Sequence, residues 1–426
     1  MIFTFLAFLL LIFSGIPVVF ALGVAAALSL VATTNVPLTI VAQRVYAGLD
    51  SFPLMAIPFF VMAGLIMEKG GIARRIVDLA AAIVGWITGS LLMVAVVTGT
   101  GLAAISGSGS ADTAAIGSML IPEMRKRRYD LDFSASIIAA AGALGPIIPP
   151  SIIMVVIAIT SNLSVGAMFL GGVAPGLLMG IGLLWTSYAF ARRGGSAYLD
   201  AEPFSLGRLW RAFVAAIPAL FMPVIIVGGI VGGIFTPTEA SCMAVIAGLL
   251  ISFVFYRELP VSALPELILR AASISAAVLI IVGTASVFSW LVARQGVPDL
   301  LGGVLQSVSR SPAVYLLIVN ILLLIVGMFI ESISAVLILM PILMPIATSY
   351  GIDPVHFGVI VALNLSIGLI TPPYGICLFV ASMVSGRTVT QLSRQIWRPL
   401  IPMIVVLFLA TYVPSVILAL PNWVLR

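Results

Sequence analysis

Four short stretches carry the polar chemistry of an otherwise apolar chain: ISGSGSADTAAIG from Ile105 to Gly117, GPIIPPSI from Gly145 to Ile152, GMFIESISAV from Gly327 to Val336, and GLITPPYGI from Gly368 to Ile376. Two of them supply side-chain oxygens. The first offers the hydroxyls of Ser106, Ser108 and Ser110 and the carboxyl of Asp112; the third offers the carboxyl of Glu331 and the hydroxyls of Ser332 and Ser334. The other two carry adjacent prolines. A proline inside a helix removes an amide donor and clashes with the carbonyl one turn earlier, so Pro149-Pro150 and Pro372-Pro373 free main-chain oxygens and allow a new half-helix to start. Freed carbonyls, helix C-terminal ends and hydroxyls together form an oxygen cage suited to a hard cation such as Na+, and half-helix N-termini favour a carboxylate.

One cation cage is therefore expected between Ser106, Ser108 or Ser110 and the backbone near Gly145 and Ile148, and a second between Glu331, Ser332 or Ser334 and Gly368 and Thr371. A carboxylate substrate is expected between the two, touching Ser108, Asp112, Asn364 and Thr371. Each stretch also has a plainer reading. A diproline kink alone is a structural bend, and Asp112 and Glu331 could lie at a hydrated rim or carry protons, although ionisable groups at membrane depth default to function. Two such kinks, each preceded by a polar turn, favour the functional reading. An intramembrane enzyme would need a nucleophile-base pair or a metal cluster, and one His and two separated Cys offer neither.

These groups need elements to hold them, and composition fixes the solvent. The chain of 426 residues is 62% hydrophobic and 8% charged, against roughly 25% charge in soluble domains. Apolar runs of about 20 residues, enough to cross hydrocarbon as helix, recur along its length. The fold expected is an all-α polytopic membrane protein forming a single membrane domain, with no stretch long enough for a separate aqueous domain. The net charge of +5 lies in short basic clusters between apolar runs, a topology signal and not a nucleic-acid footprint. Cys242 and Cys377 show no metal or disulfide spacing, and His356, after GIDPV, marks a loop end. The opening MIFTFLAFLLLIFSGIP lacks the basic start of a signal peptide and is expected to stay as a membrane helix.

The motifs come in pairs. Gly145, Ile147, Pro149 and Pro150 align with Gly368, Ile370, Pro372 and Pro373, and the same register places Pro122 on Pro345. The expected architecture is two inverted repeats, about 1–200 and 201–426, each of five crossings plus one re-entrant hairpin. Crossings are expected near 1–14, 16–33, 52–68, 131–160, 166–191, 212–234, 238–256, 270–292, 355–385 and 399–421. The hairpins are expected at about 88–124, opening to the cytoplasm, and 313–346, opening outside, with arms of about 15 residues, too short to cross comfortably. Ser110 is expected to cap the returning arm of the first. Stretches around Arg44 and Arg74 read as interfacial helices bracing a moving core. With both termini periplasmic, only Arg44, Arg294, Arg310 and Arg426 of the 20 Lys and Arg fall outside, as the positive-inside rule requires.

SGSGSADTAAIGSMLIPEM, GPIIPPS and GLITPPYG, in this order and spacing, resemble the large membrane subunit of the tripartite ATP-independent periplasmic (TRAP) transporters, and the likeness runs through essentially the whole chain. It implies an elevator-type fold of the ion transporter superfamily, residing in the bacterial inner membrane. It implies Na+-coupled import of organic acids, a small four-helix membrane subunit as partner, and a soluble periplasmic binding protein that delivers substrate. It also implies sodium binding at the hairpin tips and broken helices, carried over to Ser106, Ser108, Gly145, Glu331, Ser332, Gly368 and Thr371. The lack of a nucleotide-binding loop agrees with gradient-driven transport. The nearest alternative is a self-sufficient carboxylate symporter of the same superfamily; a channel is disfavoured because two gates imply alternating access.

Overall fold

The computed structural model describes residues 2–33, 36–195, 198–199 and 203–425, and these contain helices and connecting turns without strands. The expected repeat boundary at 200/201 and the terminal Arg426 lie outside the described residues. The first half runs α1 (Ile2–Phe13), α2 (Val18–Thr33), α3 (Thr39–Leu49), α4 (Ala56–Lys69), α5 (Ile72–Val84), α6 (Ser90–Ser106), α7 (Gly109–Lys126), α8 (Leu131–Gly142), α9 (Ile152–Thr160) and α10 (Val165–Arg193). The second runs α11 (Leu206–Pro223), a π turn into α12 (Gly229–Val231), α13 (Pro237–Leu250), α14 (Leu264–Arg294), α15 (Val297–Val308), α16 (Pro312–Gly327), α17 (Ser332–Ser349), α18 (Pro354–Gly368), α19 (Ile376–Ser385), α20 (Val389–Gln395), α21 (Trp397–Tyr412) and α22 (Ser415–Val424).

Among the described residues six helical stretches are long and apolar enough to cross a membrane by themselves, or up to eight if two bent pairs count as single spans, so the molecule is built to lie in a bilayer. α3 and α5 are the short amphipathic elements around Arg44 and Arg74. Their anchoring is specific: the Arg44 guanidinium lies 5.0 Å from the Trp290 ring of α14, while Arg75 pairs with Glu258 at 2.5 Å and stacks on Tyr256 at 4.1 Å.

α6 and α7 pack together as one hairpin, and α16 and α17 as another. Their arms are 17, 18, 16 and 18 residues long, roughly 24–27 Å by the rise per residue, and so exceed the expected length of about 15 residues. The returning arms continue past Pro122 and past Pro341 and Pro345, which the helices absorb. Two further differences concern long helices. α14 starts at Leu264, with Pro265 in its first turn, and therefore carries Arg270 inside the helix. The last expected crossing, 399–421, is broken at Val413-Pro414 into α21 and α22 because proline cannot continue the backbone ladder.

Equivalent elements recur at one spacing. Asp130 caps α8 through Asp132 N and Phe133 N, and Asp353, 223 positions later, caps α18 through Val355 N and His356 N. Ser108 and Glu331 stand at the starts of α7 and α17 in the same register. Across the centre the helices exchange partners: α19 packs on α7 and α8, and α9 packs on α17 and α18. Ser366 Oγ donates to the carbonyl of Ala143, its own counterpart 223 positions away.

Candidate functional site

The first polar turn closes around one serine. α6 ends at Gly107, which holds φ +63°, a conformation that glycine adopts without strain. A side chain there would meet the Pro150 carbonyl at 2.6 Å, so the turn sits directly on the first diproline. Ser106 Oγ donates to Asp112 Oδ1 at 2.5 Å and accepts from Ser108 N at 3.1 Å, tying the end of α6 to the start of α7. This bridge replaces the expected cap: Ser108, not Ser110, occupies the N-cap position without a side-chain capping bond, and Ser110 lies inside α7.

Asp112 is 2% exposed, and its second oxygen, Oδ2, is buried with no hydrogen-bond partner among the described residues. A Cβ placed on Gly145 would lie 2.9 Å from that oxygen and 3.0 Å from Ser108 C, so turn and break meet closely there. An unpartnered carboxylate oxygen beside a hydroxyl and broken-helix backbone is a hard donor set. Among the described residues no three His, Cys, Asp or Glu cluster as a metal site. The oxygen set fits an alkali cation better than a transition metal. Ile148, also expected near this cage, is buried and points toward Gly176 of α10.

A cavity of about 420 Å³ opens beside this turn. Ser106, Ser108, Ser110 and Asp112 line one wall, while Gly64 and Glu68 of α4 and Arg270 of α14 line another. Sequence reasoning missed Glu68 and Arg270. Placing the helix start near 270 left Arg270 as a loop charge, whereas a start at Leu264-Pro265 would have put it on a helix face two turns in. Among the described residues neither Glu68 nor Arg270 forms an ion pair; the nearby Lys69 is paired to Glu266 at 2.9 Å.

The second polar turn is built differently. Glu331 accepts from Ser334 N at 3.1 Å and Ser334 Oγ at 3.4 Å, and so caps α17. Ser332 and Ser334 are buried. Gly368 abuts the tip, since a side chain there would lie 2.6 Å from the Gly327 carbonyl. Thr371 Oγ1 donates back to Ile367 O at 2.8 Å. Asn364 is fully buried away from the 420 Å³ cavity. Its Nδ2 donates to Asn320 Oδ1 at 2.8 Å, and Asn320 Nδ2 donates to Thr411 Oγ1 at 3.0 Å, a polar ladder joining α18, α16 and α21. Asn320 stands alone in the apolar VYLLIVNILLLIVG, a signal that could have flagged it. The structure thus gathers Ser106, Ser108, Ser110, Asp112 and Gly145 at one tip and Glu331, Ser332, Ser334 and Gly368 at the other. Asn364 is left in the ladder.

Comparison with known proteins resolves what kind of molecule carries these turns. A family model described as "Tripartite ATP-independent periplasmic transporter, DctM component" matches residues 5–416. The chain belongs to this family. It is 41% identical over 409 residues to the isethionate TRAP transporter permease protein DctMQ of Oleidesulfovibrio alaskensis, covering 96% of this chain and 64% of that longer one. It is 40% identical over 426 residues to the C4-dicarboxylate TRAP transporter large permease protein DctM of Rhodobacter capsulatus, covering 97% and 96%. Against the sialic acid TRAP transporter large permease protein SiaM of Vibrio cholerae the identity is 39% over 412 residues, covering 97% and 96%. The crystal structure of the YdaH transporter of Alcanivorax borkumensis shares the fold, with a TM-score of 0.57 over 84% of this chain and 86% of that one at 14% identity. As a TRAP large permease the chain is a transporter and not an enzyme, and an integral inner-membrane protein.

Proposed function

We propose that this TRAP permease imports a small organic anion coupled to Na+, by movement of the two hairpins and their broken helices against the outer helices. The observation that carries the reading is the cavity at the first tip, where serine hydroxyls and a half-helix N-terminus face Arg270 across the space while Asp112 keeps an unpartnered oxygen beside Gly145. Na+ is cargo here. The Asp112 carboxylate with Ser106 or Ser108 and the backbone near Gly145 would hold one ion, and Ser332, Ser334 and Glu331 with backbone near Gly368 and Thr371 a second. The sodium charge offsets Asp112, so an anion can settle in the same cavity with its acidic group toward Arg270 and the start of α7.

Two inverted halves, joined near 200, support alternating access, and the common spacing of caps, the partner exchange across the centre and the Ser366–Ala143 bond favour that symmetry. Periplasmic termini agree with the distribution of Lys and Arg. The named relatives for isethionate, C4-dicarboxylates and sialic acid carry acidic solutes, which supports an anionic substrate class for this chain. A small four-helix subunit and a periplasmic binding protein complete the proposed system.

The test is uptake by proteoliposomes holding the chain with its small subunit, with binding protein added and an inward Na+ gradient imposed. Uptake that collapses when Na+ is replaced by K+ is expected. Equal uptake in both salts would overturn the coupling, and full uptake by the chain alone would favour a self-sufficient symporter.

A further inference from the structure

Away from the hairpins, a groove of about 860 Å³ runs between α10 and α21. Its floor is tight: a side chain on Gly182 would lie 2.7 Å from Pro402 Cβ, so the two helices nearly touch there. Its walls are exposed apolar side chains, Ile181 and Trp185 on α10 and Ile401 and Val405 on α21. One end is cationic. Arg193 lies in the last turn of α10 and Arg398 in the first turn of α21, and the antiparallel helices bring both to the same mouth. Arg398 is already held, with its guanidinium 5.0 Å from the Phe190 ring. Among the described residues neither arginine has a carboxylate partner.

We infer that this groove is a binding site for an anionic glycerophospholipid, with the phosphate held by Arg193 and Arg398 and one acyl chain lying along Ile181 and Val405. The dimensions agree. From Arg193 to Ile181 is 12 residues of helix, roughly 18 Å by the rise per residue, against about 15 Å for half of a ~30 Å hydrocarbon core. Basic pockets between membrane helices bind anionic headgroups because the charge is desolvated on one side and acyl chains fill the apolar remainder. The groove between α5 and α11 makes the contrast: Leu79, Ile83, Trp210 and Phe213 line it, and among the described residues no charged side chain does, so these offer nothing to select a headgroup.

The experiment uses the full chain with its small subunit, delipidated in mild detergent and equilibrated with equimolar phosphatidylglycerol and phosphatidylethanolamine, then read by native mass spectrometry. Several-fold excess retention of phosphatidylglycerol is expected. It should vanish in Arg193→Gln/Arg398→Gln and persist in the charge-matched control Arg211→Gln/Arg257→Gln. Equal retention of the two lipids by the unmodified protein, or an unchanged excess in the first double variant, would overturn the proposal. Should that variant misfold, photoreactive phosphatidylglycerol on the unmodified protein decides: crosslinks must fall on the α10 and α21 peptides bearing Trp185 and Ile401. Crosslinks only elsewhere, or protection of those peptides by the small subunit's own helices, would overturn it.

Discussion

At the first diproline every residue from Gly145 to Ser151 is buried, whereas at the second Pro373 is exposed and Tyr374 is 62% exposed. The caps differ in the same sense. Ser151 Oγ donates to Pro146 O at 2.6 Å and accepts from Met154 N at 3.3 Å, so α9 starts from a side chain that also fastens the break. α19 starts from Gly375, which has no side chain to offer; its break is held by Gly375 N to Thr371 O at 3.2 Å and Cys377 N to Leu369 O at 3.0 Å. Both diproline bonds are cis. Nearly the same local sequence thus yields one break clamped by its surroundings and one held chiefly by its own backbone, so the motif sets the bend while tertiary packing sets how firmly it is kept.

The largest expected effect tests the clamped side. Asp112→Asn should lower Na+-driven uptake by about tenfold to a hundredfold, the range of one hydrogen bond to a charged group, with membrane abundance unchanged; near-normal uptake would remove the first tip from the binding site. Gly145→Ala comes next, because its methyl would press on Asp112 Oδ2 at 2.9 Å. An overpacked contact of this kind costs about 1–3 kcal/mol, to be read as a lower melting temperature together with weaker Na+ dependence. Ser151→Ala should cost about 1 kcal/mol through loss of a cap, measured by thermal unfolding in detergent. The smallest effect belongs to the open break: Tyr374→Ala should shift stability by less than about 0.5 kcal/mol. A Tyr374→Ala loss as large as that of Ser151→Ala would end the contrast.

Much of this was legible in the sequence because membrane helices must satisfy their own backbone, which makes Gly, Ser and Pro inside apolar runs conspicuous. The polar turns, both diproline sites and the amphipathic helices around Arg44 and Arg74 could be placed that way. What could not be read was which side chain turns where. Ser106 and Ser110 stand four positions apart in a run of alternating Ser and Gly, and only the folded turn shows that Ser106 bridges to Asp112. Asn364 reads as a polar group next to a break, yet its partners Asn320 and Thr411 are distant in the chain and invisible to local pattern. Arg270 was hidden by its position near a helix end, where a basic residue reports topology as readily as ligand binding.

The partner exchange across the centre bears on how the molecule is made. α7 and α8 find their cover in α19, and α8 also in α20, while Arg387 reaches back to Asp132 at 2.5 Å. While the polypeptide is still emerging from the ribosome, the amino-terminal hairpin therefore waits, one flank bare, until residues 376–395 have been synthesised and inserted. Biogenesis must shelter that flank for most of translation, and a nascent chain stalled before α19 holds a hairpin packed on α5, α8 and α10 but lacking its α19 cover.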